Sequence, residues 1–125
     1  MILDCYKVLK RIEPRPAMWT GAETLESIRN YISGYYQALI DLNIVQKFDN
    51  VDEEPFFDWV AHKLGYSEST AGWVNMILAY SIGLCPEEIN WNDFTSSSLQ
   101  KEQHLESIDK FYQLVEEFKS EIDDS

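Results

Sequence analysis

Few residues in this sequence have the chemistry for metal binding. The only histidines are His62 and His104, whereas a zinc site normally needs three or four histidine, cysteine or carboxylate ligands at motif spacing. Asp58 and His62 lie four residues apart on one face of a predicted helix, but such a pair is more often an exposed polar contact than a metal site. The Glu-x-x-His pairs of di-iron helical proteins do not occur. We therefore expect no metal ligands.

Motifs for nucleophilic catalysis and phosphate binding are also missing. The run Gly65 to Ser69 approaches the Gly-x-Ser-x-Gly turn of a hydrolase, but it ends in serine and lies between predicted helices rather than after a strand. The acidic run from Asp49 to Glu54 lacks the glycine and terminal glutamate of a calcium loop. No phosphate-binding or dinucleotide motif occurs. We expect a non-enzyme with no catalytic residues, no cofactor and no small-molecule substrate. A small hydrolase or metal enzyme built from scattered residues is the least favoured alternative.

Apolar residues recur at helical spacing in five segments, and no alternating run is long enough for a confident strand. The predicted helices cover residues 2–12, 25–42, 55–64, 70–82 and 100–122. Residues 13–21 are predicted to be a loop, because Pro14 and Pro16 disfavour helix in the residues before them. The sequence predicts an all-α fold, a single-domain antiparallel bundle of about five helices spanning residues 1–125.

The spacing also predicts the buried face of each helix. Thr24 is the expected N-cap of the second helix, and Gly34 in its middle is expected to permit a close helix crossing. The predicted buried positions of this helix are Leu25, Ile28, Ile32, Tyr35, Leu39 and Leu42. Those of the third helix are Phe56, Val60 and Leu64, with Phe57 or Trp59 alongside. Those of the fourth are Trp73, Met76, Ile77 and Tyr80. Those of the last are Leu105, Ile108, Phe111, Val115, Phe118 and Ile122.

The cysteines and the N-terminal residues favour a cytoplasmic protein. Asp4 and Lys7 interrupt any hydrophobic run at the N-terminus, so no signal peptide is expected. Cys5 and Cys85 are expected to be buried thiols in a reducing compartment rather than a disulfide. The uncharged stretch 69–86 approaches the length of a membrane span, but it contains glycine, asparagine and serine and is flanked by acids. It is predicted to be a buried central helix.

Charge is distributed unevenly along the chain. Residues 1–50 hold six acids and six bases, whereas residues 51–125 hold sixteen acids and four bases, which accounts for the whole net charge of -12. Such a surface repels the phosphates of nucleic acids and anionic lipid headgroups, so neither nucleic acid nor a membrane is an expected partner. A basic protein would be attracted to it. The alternative is that the excess acid only aids solubility.

Aromatic and acidic residues are interleaved between residues 48 and 94, a pattern that suits a protein-binding surface with aromatic anchors and a charged rim. The predicted partner-binding residues are Asp52, Glu53, Glu54, Asp58, Glu68, Glu87, Glu88, Trp91 and Asp93. Most of the aromatic residues in this region are equally suited to the core. The acids before the third helix are also explained in part by the favourable interaction of negative charge with a helix N-terminus.

Residues 15–21 resemble a turn found in a family of small bacterial proteins, Arg-Pro-x-Met-aromatic-x-Gly. Trp19 occupies the aromatic position, where tyrosine is more common, and the next helix carries the Gly-Tyr pair of the family. Segments 57–73 and 111–118 fit the same pattern, so the resemblance spans most of the chain. The positions that match the family and that we interpret as structural are Arg15, Pro16, Met18, Trp19, Gly21, Gly34, Tyr35, Gly65 and Trp73.

Some members of that family are similar to immunity proteins of contact-dependent growth inhibition and related polymorphic-toxin systems. The resemblance implies a cytosolic inhibitor that binds the C-terminal toxin domain, often a nuclease, of a sibling cell's secreted effector. It identifies no toxin-contacting residue, so the partner-binding residues above are chosen from charge. The alternative hypothesis is an acidic adaptor or regulatory protein that binds a basic partner within its own cell.

Overall fold

The computed structural model describes residues 1–45, 56–66, 72–84, 89, 91, 94 and 99–123. These residues form six helices and no strand, which confirms the all-α class. The helices are α1 (Tyr6–Ile12), α2 (Pro16–Thr20), α3 (Leu25–Asp41), α4 (Phe56–Leu64), α5 (Gly72–Ser81) and α6 (Lys101–Asp123). Among the described residues, no helix is long and apolar enough to cross a membrane.

The chain packs as two compact units, Met1–Pro55 with α1 to α3 and Phe56–Ser125 with α4 to α6. The division falls close to the boundary at residue 50 between the neutral and the acidic parts of the sequence. The second unit holds thirteen acids and four bases, a net charge of -9. That residues 1–125 form a single domain stays a prediction.

The loop predicted over residues 13–21 is wrong, because this segment contains α2. Pro16 is the first residue of that helix, where a missing N–H is harmless and the fixed φ of proline suits helical geometry. Gly21 ends the helix in the left-handed region, with φ of 88°, and its N–H donates to the carbonyl oxygen of Ala17. The same proline that disfavours helix before it therefore starts one after it, which adds a short helix to the five predicted.

Hydroxyl groups join α2 to the start of α3. The side chain of Thr24 accepts from the N–H of Ser27 at 3.2 Å, which confirms Thr24 as the N-cap. The hydroxyls of Thr20 and Ser27 lie 3.1 Å apart, and each donates to the carbonyl oxygen of Ala22. This network satisfies polar groups that the tight turn between the two helices would otherwise leave without partners.

The buried face of α3 departs from the prediction in its second half. The residues buried as predicted are Leu25, Ile28 and Ile32. After Ile32 the buried position is Tyr36, while Tyr35 is 38% exposed and Leu42 is 69% exposed. Because an α-helix has 3.6 residues per turn, positions three and four after Ile32 are both near the buried side, and packing selects the later one.

Gly34 does not lie at a close helix crossing. A Cβ atom built at this position would meet no described atom within 4 Å, and the residue is exposed. The predicted reason for a glycine in the middle of this helix is therefore wrong, and nothing in the structure explains it.

The remaining core of the first unit forms around α1. This helix begins at Tyr6, one turn later than predicted, yet Ile2 and Cys5 are fully buried. The thiol of Cys5 donates to the carbonyl oxygen of Ile32 at 3.7 Å, so the N-terminal turn packs on the middle of α3. The prediction of a buried thiol is confirmed for Cys5, whereas Cys85 lies outside the described residues.

An aromatic cluster holds the second unit together. The ring of Phe56 contacts those of Trp59, Trp73, Phe111 and Phe118, with centroid separations between 5.2 and 6.3 Å. These rings come from α4, α5 and α6, so a single side chain contacts all three helices. Most predicted buried positions of these helices are confirmed: Phe56, Val60, Leu64, Trp73, Met76, Ile77, Ile108, Phe111, Val115 and Phe118.

Three predicted core residues of this unit are substantially exposed. Tyr80 is 43% exposed, Leu105 is 37% exposed and Ile122 is 42% exposed. Leu105 and Ile122 lie near the ends of α6, which has 23 residues, whereas α4 has 9 and α5 has 10. Near both ends of α6 the apolar repeat therefore continues into positions that are substantially exposed among the described residues.

The first unit contains two glycines, Gly21 and Gly34. Replacing each with alanine is expected to change the free energy of unfolding in opposite directions. Gly21→Ala is expected to destabilise the protein by about 1 kcal/mol, because a φ of 88° is unfavourable for a residue with a Cβ atom. Gly34→Ala is expected to stabilise it by about 0.5 to 1 kcal/mol, because alanine has the higher helix propensity and meets no neighbour. Urea denaturation of both variants measures the two effects. Equal changes in unfolding free energy of the same sign would contradict the different backbone conformations assigned to Gly21 and Gly34.

Candidate functional site

Two of the nine predicted partner-binding residues, Asp58 and Trp91, lie in the described part of the chain. The others, which lie outside it, are Asp52, Glu53, Glu54, Glu68, Glu87, Glu88 and Asp93. Asp58 is exposed on α4. Trp91 is partly buried, with its ring centroid 6.0 Å from that of Tyr66 and 5.5 Å from that of Phe94. Trp91 therefore contributes to packing as well as to the surface.

Tyr66 anchors this smaller aromatic group to α5. Its hydroxyl donates to the carbonyl oxygen of Met76 at 3.0 Å, and the side chain is buried. Burial, with a smaller contribution from Tyr80, raises the pKa of Tyr66 to about 12. At neutral pH the residue is thus a neutral hydrogen-bond donor that fixes the chain after α4.

The positions on which the expected family resemblance rests have mixed environments. Arg15 precedes α2, Pro16 begins it and Gly21 ends it. Met18 is 66% exposed and Trp19 is 39% exposed, so the two large apolar residues of the turn are only partly covered. The remaining matched positions are exposed Gly34 and Tyr35, Gly65 with φ of 85°, and buried Trp73.

A feature of α6 stands out among the described residues: an outward-facing row of acids. The exposed positions Glu102, Glu106, Asp109, Gln113, Glu116, Ser120 and Asp123 follow one another at alternating spacings of four and three. Five of the seven are carboxylates and none is basic. We call this row the acidic stripe. At about 1.5 Å per residue it runs for roughly 30 Å along the helix.

The three basic residues of α6 lie outside the acidic stripe, and one of them, Lys101, is exposed at the first position of the helix. The ammonium of Lys110 lies 5.1 Å from the ring centroid of Tyr80 on α5, and that of Lys119 is 2.9 Å from a carboxylate oxygen of Asp123. Lys119 therefore offsets charge at one end of the stripe. The part from Glu102 to Asp109 presents three exposed carboxylates within about two helical turns, which concentrates negative potential there.

The acidic stripe is not among the predicted sites, although the sequence contains the spacing that identifies it. The buried positions of α6 recur at spacings of three and four residues. Its acids recur at the same spacings on another face of the helix. The predicted partner-binding residues are instead Trp91 and acids that alternate with aromatic residues between residues 52 and 93. The acids of the stripe are spread over 22 positions. They lie on one face of a single helix only because α6 is continuous from Lys101 to Asp123.

A groove between α4 and α6 is the second candidate feature. It has a volume of about 380 Å³ and is lined by Lys63, Glu116, Glu117, Ser120 and Glu121. We call it the α4–α6 groove. Trp59 borders it, since its indole N–H donates to Glu121 at 2.6 Å and its ring centroid lies 5.5 Å from the ammonium of Lys63.

The Asp58–His62 pair, the one metal-site candidate considered from the sequence, is not part of a larger group of ligands among the described residues. Asp58 and His62 are both exposed on α4. In the described ranges, no group of three or more histidine, cysteine or carboxylate side chains lies close enough to hold a metal ion.

The acidic stripe and the α4–α6 groove share Glu116 and Ser120, so the two features are continuous on the surface of the second unit. Both are built from carboxylates on a helix that is fixed by a buried aromatic core, which suits recognition of positive charge. Comparisons with protein-family models, with curated proteins and with solved structures found no match to this chain.

Proposed function

We propose that this protein is an immunity protein that acts in the cytoplasm and neutralises a basic toxin domain, a nuclease delivered by neighbouring bacteria. The observation that carries the proposal is the acidic stripe, five exposed carboxylates with no base among them on one face of α6. The resemblance of residues 15–21 to the turn of the bacterial family supports the choice of partner class.

The stripe suits a nuclease because the substrate of a nuclease is itself a row of negative charges. A cleft that binds a phosphate backbone is lined by lysine and arginine, and a rigid row of carboxylates can occupy or flank it in place of phosphates. Complementary charge of this kind raises association rates by roughly 10- to 1,000-fold over those of uncharged surfaces. Fast association matters for an inhibitor that must capture its target before the target acts.

The proposal predicts a 1:1 complex between this protein and the toxin domain encoded beside its gene. Stopped-flow measurement between about 0.02 and 0.5 M salt is expected to give an association rate that falls steeply with salt, because the Debye length shrinks from roughly 20 Å to about 4 Å. Addition of one equivalent is expected to stop nucleic-acid cleavage by the toxin.

A catalytically inactive toxin domain gives the matched control, since it should bind with the same salt dependence. Absence of a complex at 0.15 M salt, together with unimpeded cleavage, would overturn the proposal. Capture of a basic protein from the producing cell in place of the toxin would indicate an adaptor instead.

A further inference from the structure

We propose that one face of α3 is a contact surface for a second copy of this chain, and that two copies pair through their α3 helices in antiparallel orientation. We call this surface the α3 face, and its residues are Tyr31, Tyr35, Ala38 and Leu42. The inference goes beyond the proposed function, because it concerns the first unit and requires no toxin partner.

The α3 face is an apolar surface that the described residues leave open. Its four residues follow one another at spacings of four, three and four, so they lie on one side of the helix. Tyr35 is 38% exposed and Leu42 is 69% exposed, while Ala38 is exposed and Tyr31 is partly buried. The buried side of α3, which contains Ile28, lies next to this face. The apolar surface of α3 is therefore wider than the part that packs within the unit.

The middle of α3 carries no charge. Residues 30–40 contain no acid and no base, although the whole chain has a net charge of -12. Asp41, the last residue of the helix, accepts a hydrogen bond from the side chain of Gln37 at 3.0 Å. A charged partner, whether basic or acidic, would bury its charges against this surface without meeting opposite charges. An uncharged surface has no such cost, and a second copy of this chain supplies one.

The order of large and small residues on the α3 face suits a copy of itself. When two such helices run antiparallel about a two-fold axis, the spacing of four, three and four matches the same spacing read in reverse. Tyr31 of one copy then lies opposite Leu42 of the other, and Tyr35 lies opposite Ala38. A large residue opposite a small one lets the two helices interdigitate. A contact of this symmetry is complete with two copies, so it gives a dimer rather than a longer chain.

The size of the α3 face sets the strength of the expected dimer. The helix has 17 residues and is about 25 Å long at 1.5 Å per residue. A strip of that length and about 10 to 12 Å wide, the diameter of a helix, covers roughly 300 Å². Stable interfaces bury about 800 Å² on each partner. We therefore expect a weak, reversible dimer with a dissociation constant on the order of 0.1 mM.

Sedimentation equilibrium of the full chain measures this association. Between about 10 µM and 1 mM protein, the average mass is expected to rise from that of one chain toward that of two. The dissociation constant is expected to fall several-fold between about 0.05 and 0.5 M salt, because salt screens the repulsion between two acidic chains and leaves the apolar contact in place. A mass that stays at one chain up to about 1 mM at both salt concentrations would overturn the proposal.

Two charge substitutions at neighbouring positions test whether the α3 face makes the contact. Ala38→Glu places a charge within the face and is expected to weaken dimerisation by about tenfold or more. The position is exposed and glutamate is a good helix former, so this variant should fold normally. Gln37→Glu adds the same charge at an exposed position about 100° around the helix and is expected to change the dissociation constant by less than about twofold. Equal weakening would show that repulsion between whole chains, rather than this face, controls association.

The antiparallel arrangement has a separate readout. In an equal mixture of ¹³C-labelled and unlabelled protein at about 1 mM, isotope-filtered nuclear Overhauser spectra are expected to connect the Leu42 methyl groups with the Tyr31 ring of the other copy. Within one chain these two residues are about 16 Å apart along the helix, so a contact inside one copy does not give this signal. A dimer that lacks the Tyr31–Leu42 signal would place the contact elsewhere and contradict the proposal.

The effect of salt also distinguishes this dimer from the proposed toxin complex. Salt is expected to strengthen dimerisation, whereas it is expected to slow association with the toxin domain. If the dimer forms and responds to Ala38→Glu but no toxin complex forms, the proposed function fails and the α3 face stands. If the toxin complex forms while the free protein stays monomeric, the dimer proposal fails and the proposed function stands.

Discussion

Neutralising the densest part of the acidic stripe, with Glu102→Gln, Glu106→Gln and Asp109→Asn, is expected to slow association with the proposed toxin partner by about 10- to 100-fold at low salt. The three carboxylates are exposed on one side of α6 and lie within about two helical turns. Their fields add in the solvent in front of the helix, and steering depends on that summed potential rather than on any one contact. Stopped-flow fluorescence at about 0.02 M salt measures the effect.

The first unit supplies a control with the same change in net charge. Glu23→Gln, Glu26→Gln and Asp41→Asn remove three acids that lie in or beside α3, and Glu26, like Glu102, lies in the first turn of its helix. We expect less than about a threefold change in association rate for this variant. The two variants should also differ in salt dependence, which should flatten only when the stripe is neutralised. Equal effects would mean that total charge, not the stripe, directs the encounter.

Replacing Phe56 with alanine is expected to cost about 3 to 5 kcal/mol of unfolding free energy. Its ring is 1% exposed and contacts four other aromatic rings across three helices. Truncation removes those contacts and leaves a cavity that rings held by three helices cannot easily fill. Because domains of this size have total stabilities of about 5 to 15 kcal/mol, the loss is a large part of the whole. Urea denaturation followed by far-ultraviolet circular dichroism measures it.

Two further variants test whether the loss of stability in Phe56→Ala comes from the buried position of that ring. Phe57→Ala removes the same side chain from the next residue, which is only partly buried, and is expected to cost no more than about 1.5 kcal/mol. Phe56→Leu keeps much of the buried volume and should remain folded if the alanine variant does not. A Phe57→Ala cost as large as that of Phe56→Ala would show that the aromatic contacts of Phe56 are not the main source of stability.

Local patterns in the sequence determine much of this fold. The apolar spacing of α3 to α6 is strong enough to predict their existence and most of their buried positions, since an amphipathic helix buries the face that its spacing defines. Thr24 is recognisable as an N-cap because its hydroxyl needs only the next three residues. These features depend on neighbours in the chain, so the chain alone specifies them.

The wrong predictions arise where two local rules compete, or where an apolar repeat continues into exposed positions near the ends of a helix. Pro16 both ends a preceding helix and starts a following one, and the sequence does not state which role applies. Tyr35 and Tyr36 are both near the buried side of α3, and packing decides between them. Leu105 and Ile122 continue the apolar repeat of α6 at positions that are substantially exposed among the described residues, which spacing alone does not reveal.

The candidate sites also include features that follow from the sequence and features that depend on packing. That the second half of the chain is acidic and suited to a basic partner follows from composition alone, because net charge is a sum over residues and needs no fold. Only the tertiary structure brought Trp59 to Glu121 and Lys63 to Glu117, residues more than 50 positions apart in the chain. A groove is made by two elements that approach each other, and the packing of Phe56 against α5 and α6 sets that approach.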